Sequence, residues 1–275
     1  MKYAFQALDP WVVVFGRLLV ASICLLPFLP SFFRLPIQRR HVLPLLAMAL
    51  CEPCLYFIFE AAALERTTAS QAAMITSMLP LLVALTAALF LGERLSRQTM
   101  IGFALAAAGA VWLSLAAQKT EMAPAPVLGN LLEFSAMTCA TGYIILLKYL
   151  SRDLPPLFLT AVMCFVGALF FLPLLAMPGV ELPTTIPGEG LAAVLYLGMC
   201  VTICAYGLYN FGVSRVPANQ AAVYINLIPV FSIVLGALFL GDRFTPWQMA
   251  ACLLVFTGVL LSQKKQPTKK GAAHG

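Results

Sequence analysis

Charge is what this chain has least of. Only 10% of its 275 residues are Asp, Glu, Lys or Arg, against roughly a quarter in soluble domains. Histidine is scarcer still, with His41 and His274 the two present, so a histidine-based metal centre has almost no material. No G-x-G-x-x-G, P-loop or G-x-S-x-G pattern occurs, which leaves a nucleotide cradle or a hydrolase elbow without a basis. The eight cysteines are scattered through apolar stretches; they read as small packing residues and not as a disulfide framework. The one C-x-x-C, Cys51 to Cys54, has neither a second pair nor a histidine nearby. No metal, cofactor or catalytic constellation is therefore expected, and the chain does not read as an enzyme.

What fills the sequence is oil. Hydrophobic residues make up 61% of it, and the mean hydropathy is +0.93. Uncharged runs longer than the roughly 18 residues that flag a spanning helix cover 67–92, 99–118, 154–180, 190–214, 216–241 and 244–263. Three more apolar stretches carry isolated ionisable groups: 11–30 with Arg17, 42–63 with Glu52 and Glu60, and 127–147 with Glu133. The expectation is an all-α polytopic membrane protein with nine spans. The net charge of +6 sits in loops and in the tail, so it reads as a topology signal and not as a nucleic-acid surface.

The chain repeats itself. Offset by 149 residues, "ASQAAMITSMLPLLVALTAALFLGERL" (69–95) lies on "ANQAAVYINLIPVFSIVLGALFLGDRF" (218–244), so Gln71 meets Gln220, Pro80 meets Pro229 and Gly92 meets Gly241. Further on, Gly109 meets Gly258. Offset by 146, Lys2-Tyr3 lies on Lys148-Tyr149, and Pro10 and Pro27 lie on Pro156 and Pro173. This divides the chain into a first repeat at 1–118 with four helices, a linker at 119–126, a second repeat at 127–263 with five helices, and a basic tail at 264–275. The partner of 127–147 would lie ahead of Met1, so nine spans stand where ten are expected. An odd number of spans per repeat inverts the second relative to the first, an architecture that recurs in secondary transporters with a site near the midplane.

Alternate loops carry unequal positive charge. Twelve Lys and Arg fall on the side of the tail, including Arg34, Arg39, Arg40, Lys148 and Arg152, and four on the other, Lys2, Arg66, Lys119 and Arg243. Positive-inside places the C-terminus in the cytoplasm.

An ionised side chain at mid-bilayer costs about 3 kcal/mol even on a mild scale, so such groups face a cavity or a partner. Counting about 1.5 Å per residue puts Glu52 near the midplane, Arg17 and Glu133 roughly 10 Å deep, and Glu60 toward the outer rim. Glu52, Tyr56 and Glu60 share one broad helix face. Pro53 cannot donate to the Ala49 carbonyl, which favours a kink beside Glu52. Glu52 is read either as a proton-coupling or cation-binding acid or as the ion-pair partner of Arg17. No basic residue in its own helix neutralises Glu133, and an acid so placed can take up and release protons. The repeat partner of Glu52 is Val201, so the acid belongs to one half only. Uncharged candidates are Gln71, Gln220, Tyr143, Tyr224 and Asn226, with Tyr206, Tyr209, Asn210 and Asn219 behind them; Gln71 and Gln220 open equivalent helices. Glu93–Arg94 and Asp242–Arg243 read as caps or gates at helix ends.

With "GRLLVA" (16–21), the A-x-Q-A openings at 69–72 and 218–221, Pro80 and Pro229, "LFLGERL" (89–95) with its twin "LFLGDRF" (238–244), and "GNLLEFSAMTCATGY" (129–143), the chain resembles the ten-helix EamA-domain branch of the drug/metabolite transporter superfamily over essentially its whole length. It departs at the absent first helix and at Glu133, where many relatives carry a small apolar residue. The resemblance implies two EamA-type repeats and a secondary carrier in the bacterial inner membrane. Such carriers are often exporters of amino acids, drug-like compounds or other small metabolites, and are commonly proton-coupled. Small residues at 102–109 and Gly258 suggest close helix packing within one chain or between two copies of a homodimer. The alternative function is that of a truncated, non-transporting membrane protein acting as an assembly partner. In-frame codons for about twenty apolar residues are expected upstream of Met1; a stop codon directly before it would contradict the missing helix.

Overall fold

A computed structural model describes residues 1–91, 97–116, 119–121, 123–183, 185, 187–215, 225, 228, 231, 235, 238–239 and 245–262. They are helical almost throughout, and no strand occurs among them, an isolated bridge between Thr120 and Ala123 aside. The first half contains α1 (Pro10–Leu25), α2 (Arg39–Ala49) and α3 (Tyr56–Arg66), α4 (Ala69–Thr76) and α5 (Leu79–Leu91), and α6 (Arg97–Leu115). The second contains α7 (Pro126–Leu150), α8 (Pro156–Phe171), α9 (Gly188–Tyr196), α10 (Tyr206–Arg215) and α11 (Pro246–Ser262). Joined across their breaks, these give six described helices long and apolar enough to cross a membrane, with two shorter ones. The span expected at 219–240 lies largely outside the described residues, as do Glu93, Arg94, Pro229, Asp242 and Arg243.

Helix starts follow local chemistry. Asp9 accepts from the Trp11 N–H at 2.8 Å and Pro10 opens α1, the proline filling a position whose N–H has no intrahelical partner. Thr68 caps α4 by accepting from the Gln71 N–H at 3.2 Å. His41, the one histidine within the helices, is buried at the start of α2. Its Nδ1 accepts the Gln38 N–H at 3.2 Å, and its Nε2 lies 3.1 Å from Asp153 in the second half, where Arg40 also pairs at 3.1 Å.

The repeated lysines have a common purpose. Lys2 Nζ donates to the carbonyls of Leu64, at 2.8 Å, and Thr67. Lys148 Nζ donates to those of Val213, at 2.9 Å, and Ser214, at 3.3 Å. By the repeat alignment α1 and α8 match as second helices, and 39–66 and 188–215 match as third helices. Each ammonium thus closes the carboxyl end of the third helix of its own half, where the last carbonyls lack partners and the helix dipole is negative.

The halves pack crosswise. The second helices, α1 and α8, lie against each other, and so do the last helices, α6 and α11. Each second helix also contacts the middle of the other half's third helix: α1 against 197–205, α8 against 50–55. This reciprocity is the signature of two inverted repeats.

The α6–α11 seam depends on the matched glycines. A Cβ at Gly109 would stand 2.7 Å from the Val255 nitrogen, and one at Gly258 would stand 2.5 Å from the Ala106 nitrogen. Backbone atoms cannot yield as a side chain would, so only glycine lets these helices touch. Gly258→Ala is expected to cost about 1–3 kcal/mol, read as a lower unfolding temperature in detergent. Gly207→Ala, where a Cβ meets nothing within 4 Å, is expected to be neutral or stabilising by up to about 1 kcal/mol.

Candidate functional site

Both third helices depart from regular α-helix at equivalent places. In the first half, Glu52 takes φ −146° and ψ 120°, outside the helical region, between α2 and α3. Pro53 follows it through a cis peptide bond. Proline offers no N–H to Ala49, and it disfavours helical geometry in the residue before it, so the kink expected at Glu52 is present. In the second half, Leu197–Ala205 widens into π-helical turns without any proline. There Thr202, the repeat partner of Pro53, donates its hydroxyl hydrogen to the Leu197 carbonyl at 2.9 Å. A third break separates α4 from α5, because Pro80 has no N–H for the Thr76 carbonyl.

These breaks surround one cavity of about 350 Å³. Its polar wall consists of Glu52, Tyr56, Thr76, Tyr143, Tyr206 and Tyr209; Leu79, Met137, Ile144 and Ile228 are among its apolar lining. A chamber mostly apolar with a few convergent polar groups is the usual form of a small-molecule site.

Three carboxyl groups converge here, each with one hydroxyl toward the cavity. Glu52, 3% exposed, stands on the wall with the Tyr206 hydroxyl turned toward it. Glu60 lies behind Tyr56, whose hydroxyl donates to its Oε1 at 3.2 Å, while its Oε2 is buried without a partner. Glu133 lies behind Thr76, 2.9 Å from Oε1 to Oγ1, and its Oε2 is likewise buried and unpartnered. Glu60 is expected toward the outer rim by helix rise; its rotation turns the carboxyl inward to Tyr56.

Arg17 is buried at 3% exposure. Its Nε donates to Thr202 Oγ1 at 3.0 Å, its Nη1 reaches the Met1 sulfur at 3.1 Å, and its Nη2 has no partner. The guanidinium lies 4.7 Å from the Phe57 ring and 6.0 Å from the Tyr206 ring, a pair equivalent in the two repeats. Among the described residues it forms no ion pair with Glu52 or Glu60. The ion-pair reading of Glu52 therefore fails; the cation is held by aromatic faces and a hydroxyl of the opposite half.

Tyr143 is on the wall, donating to Asn210 Oδ1 at 2.9 Å, and Asn210 donates to Thr160 Oγ1 at 2.9 Å. Gln71 is not on the wall. Its Oε1 accepts from Asn130 Nδ2 at 3.3 Å, and Asn130 also takes the Thr67 hydroxyl at 2.8 Å and donates to Ser114 at 3.0 Å. Gln220, Tyr224 and Asn226 lie outside the described residues. Thr76, Thr202 and Asn130 were not singled out from sequence. Thr76 had a signal in its place four residues before Pro80, and Asn130 in its i, i+3 spacing from Glu133.

The helices and the chamber define a multi-pass membrane protein with a central cavity. The EamA-like transporter family matches residues 1–115 and 127–263, and the chain belongs to that family. It is 27% identical over 264 residues to the uncharacterized transporter YetK of Bacillus subtilis strain 168, covering 94% of this chain and 80% of that one. It is also 27% identical over 274 residues to an uncharacterized transporter of Archaeoglobus fulgidus, covering 97% and 92%. A solved crystal structure shares the fold with a TM-score of 0.68 at 21% identity, over 95% of this chain and 89% of that one. The chain is a membrane transporter.

Arg17→Lys keeps the charge but loses the Nε bond to Thr202 and the planar face over Phe57. It is expected to lower stability by about 1–3 kcal/mol, read as a fall in the unfolding temperature of the detergent-solubilised protein.

Proposed function

We propose that this transporter is a secondary active exporter of small metabolites, such as amino acids or drug-like compounds, driven by protons through alternating access. The observation that carries the reading is Glu52, an acid buried on the cavity wall at a helix break, with no ion-pair partner among the described residues. A buried carboxyl that forms no ion pair favours a bound proton or a bound cation. Glu133 stands one hydroxyl away from the same chamber, so two protonatable groups are within reach of a substrate. The crosswise packing of the halves supports rocking of one against the other. The excess of Lys and Arg on the tail side supports a cytoplasmic C-terminus, in the reading of the chain as a bacterial inner-membrane protein.

The test is a flux screen in proteoliposomes, with candidate metabolites supplied under an imposed pH gradient and without one. Uphill flux is expected only with the gradient. Glu52→Gln and Glu133→Gln should each abolish gradient-driven flux while exchange of labelled for unlabelled substrate continues. Normal driven flux in both variants would defeat the coupling, and no flux of any metabolite would favour a non-transporting assembly partner.

A further inference from the structure

We propose that Thr76 is a proton relay, the one link among the described residues through which Glu133 exchanges its proton with the central cavity. The inference rests on the proton-coupled reading for its role in transport, but its chemistry stands on the geometry around Thr76.

Thr76 is the last residue of α4 and lines the cavity. Its hydroxyl oxygen lies 3.1 Å from the Ala72 carbonyl and 2.9 Å from Glu133 Oε1. A hydroxyl has one hydrogen, and here it faces two acceptors if Glu133 is a carboxylate. The count closes when Glu133 carries a proton: Glu133 donates to Thr76, and Thr76 donates to Ala72. When Glu133 is ionised, the Thr76 hydrogen must turn to it, and Oε2 remains buried with no donor at all. The two orientations of one hydroxyl thus correspond to the two charge states of the acid behind it.

The surroundings leave Thr76 as the outlet. Glu133 is 2% exposed and does not line the cavity. Glu60 and Tyr56, from α3, are the titratable groups that face it. Tyr56 is committed to Glu60. Among the described residues no Lys, Arg or His forms an ion pair with Glu133. On the far side, one helical turn along α7, Asn130 is engaged with Thr67, Gln71 and Ser114.

Transfer conserves protons. Glu133 passes its proton to Thr76 Oγ1, and the hydrogen already on Oγ1 passes to a water molecule or a basic substrate atom in the cavity. The products are a carboxylate at Glu133, an intact hydroxyl at Thr76 and one proton in the chamber; the reverse sequence reloads the acid.

Infrared spectroscopy of the full chain in lipid tests this with D2O as the probe. A protonated-carboxyl band that disappears in Glu133→Gln is expected to shift on transfer to D2O. In Thr76→Val the band should persist at an altered frequency, having lost its hydrogen bond, and its deuterium exchange should slow by roughly tenfold or more. Thr76→Ala should behave like Thr76→Val, and Thr76→Ser should restore the wild-type rate. Exchange at the wild-type rate in both Thr76→Val and Thr76→Ala would overturn the relay, as would a band unaffected by Glu133→Gln. Because this reads the protein without substrate, a relay that behaves as expected in a chain with no gradient-driven flux would leave the relay standing and sink the coupling.

Discussion

Inside a bilayer a backbone carbonyl that loses its helical partner has no water to turn to. The centre of this protein depends on how that constraint is met where the third helix of each half is broken. The two halves meet it differently. Around Glu52, proline removes the donor and the extended residue carries its carboxyl to the cavity wall. Around Thr202, a hydroxyl takes over the Leu197 carbonyl and its oxygen then receives Arg17 from the opposite half. The same discontinuity yields an acid in one repeat and an anchor for a cation in the other. This is how a symmetric scaffold comes to hold an asymmetric site.

Three acids and one guanidinium occupy this core, yet no ion pair joins them among the described residues. Instead the guanidinium lies against Phe57 and Tyr206, and each acid faces a hydroxyl: Glu52 with Tyr206, Glu60 with Tyr56, Glu133 with Thr76. A hydroxyl accommodates either charge state of an acid, because it can donate to a carboxylate or accept from a carboxylic acid. A fixed ion pair would hold one charge state; a hydroxyl serves both.

The rigid parts of the fold stand apart from this centre. The seam of α6 and α11 closes on Gly109 and Gly258 with backbone against backbone. Lys2 and Lys148 fasten the ends of the third helices. Arg40 and His41 join Asp153 across the halves at one face. The polar cluster of Thr67, Gln71, Asn130 and Ser114 ties together four helices at one end. Between such fixed ends lie the breaks at Glu52 and after Thr76 and the π-helical turns at 197–205, where the described helices leave regular α-helical hydrogen bonding around the cavity.

By itself the sequence determined the membrane class, the apolar helices among the described residues and the break at Pro53, since these follow from local hydropathy and the missing N–H of proline, and an offset between two segments made a repeat legible. It also pointed to Glu52 and Glu133, because an acid in oil is conspicuous without any fold. Only the tertiary structure decided what those groups face. Helix rise gives depth, but the rotation of Glu60 toward Tyr56, the stacking of Arg17 against Phe57 and the placement of Glu133 behind Thr76 depend on how neighbouring helices cross. The widened turns at 197–205 had no proline to announce them; within them the Thr202 hydroxyl donates to a carbonyl five residues back. Partners across the halves are separated by more than a hundred residues, as Arg17 and Thr202 are, and a distance of that kind along the chain becomes a contact only when the two inverted repeats close on each other.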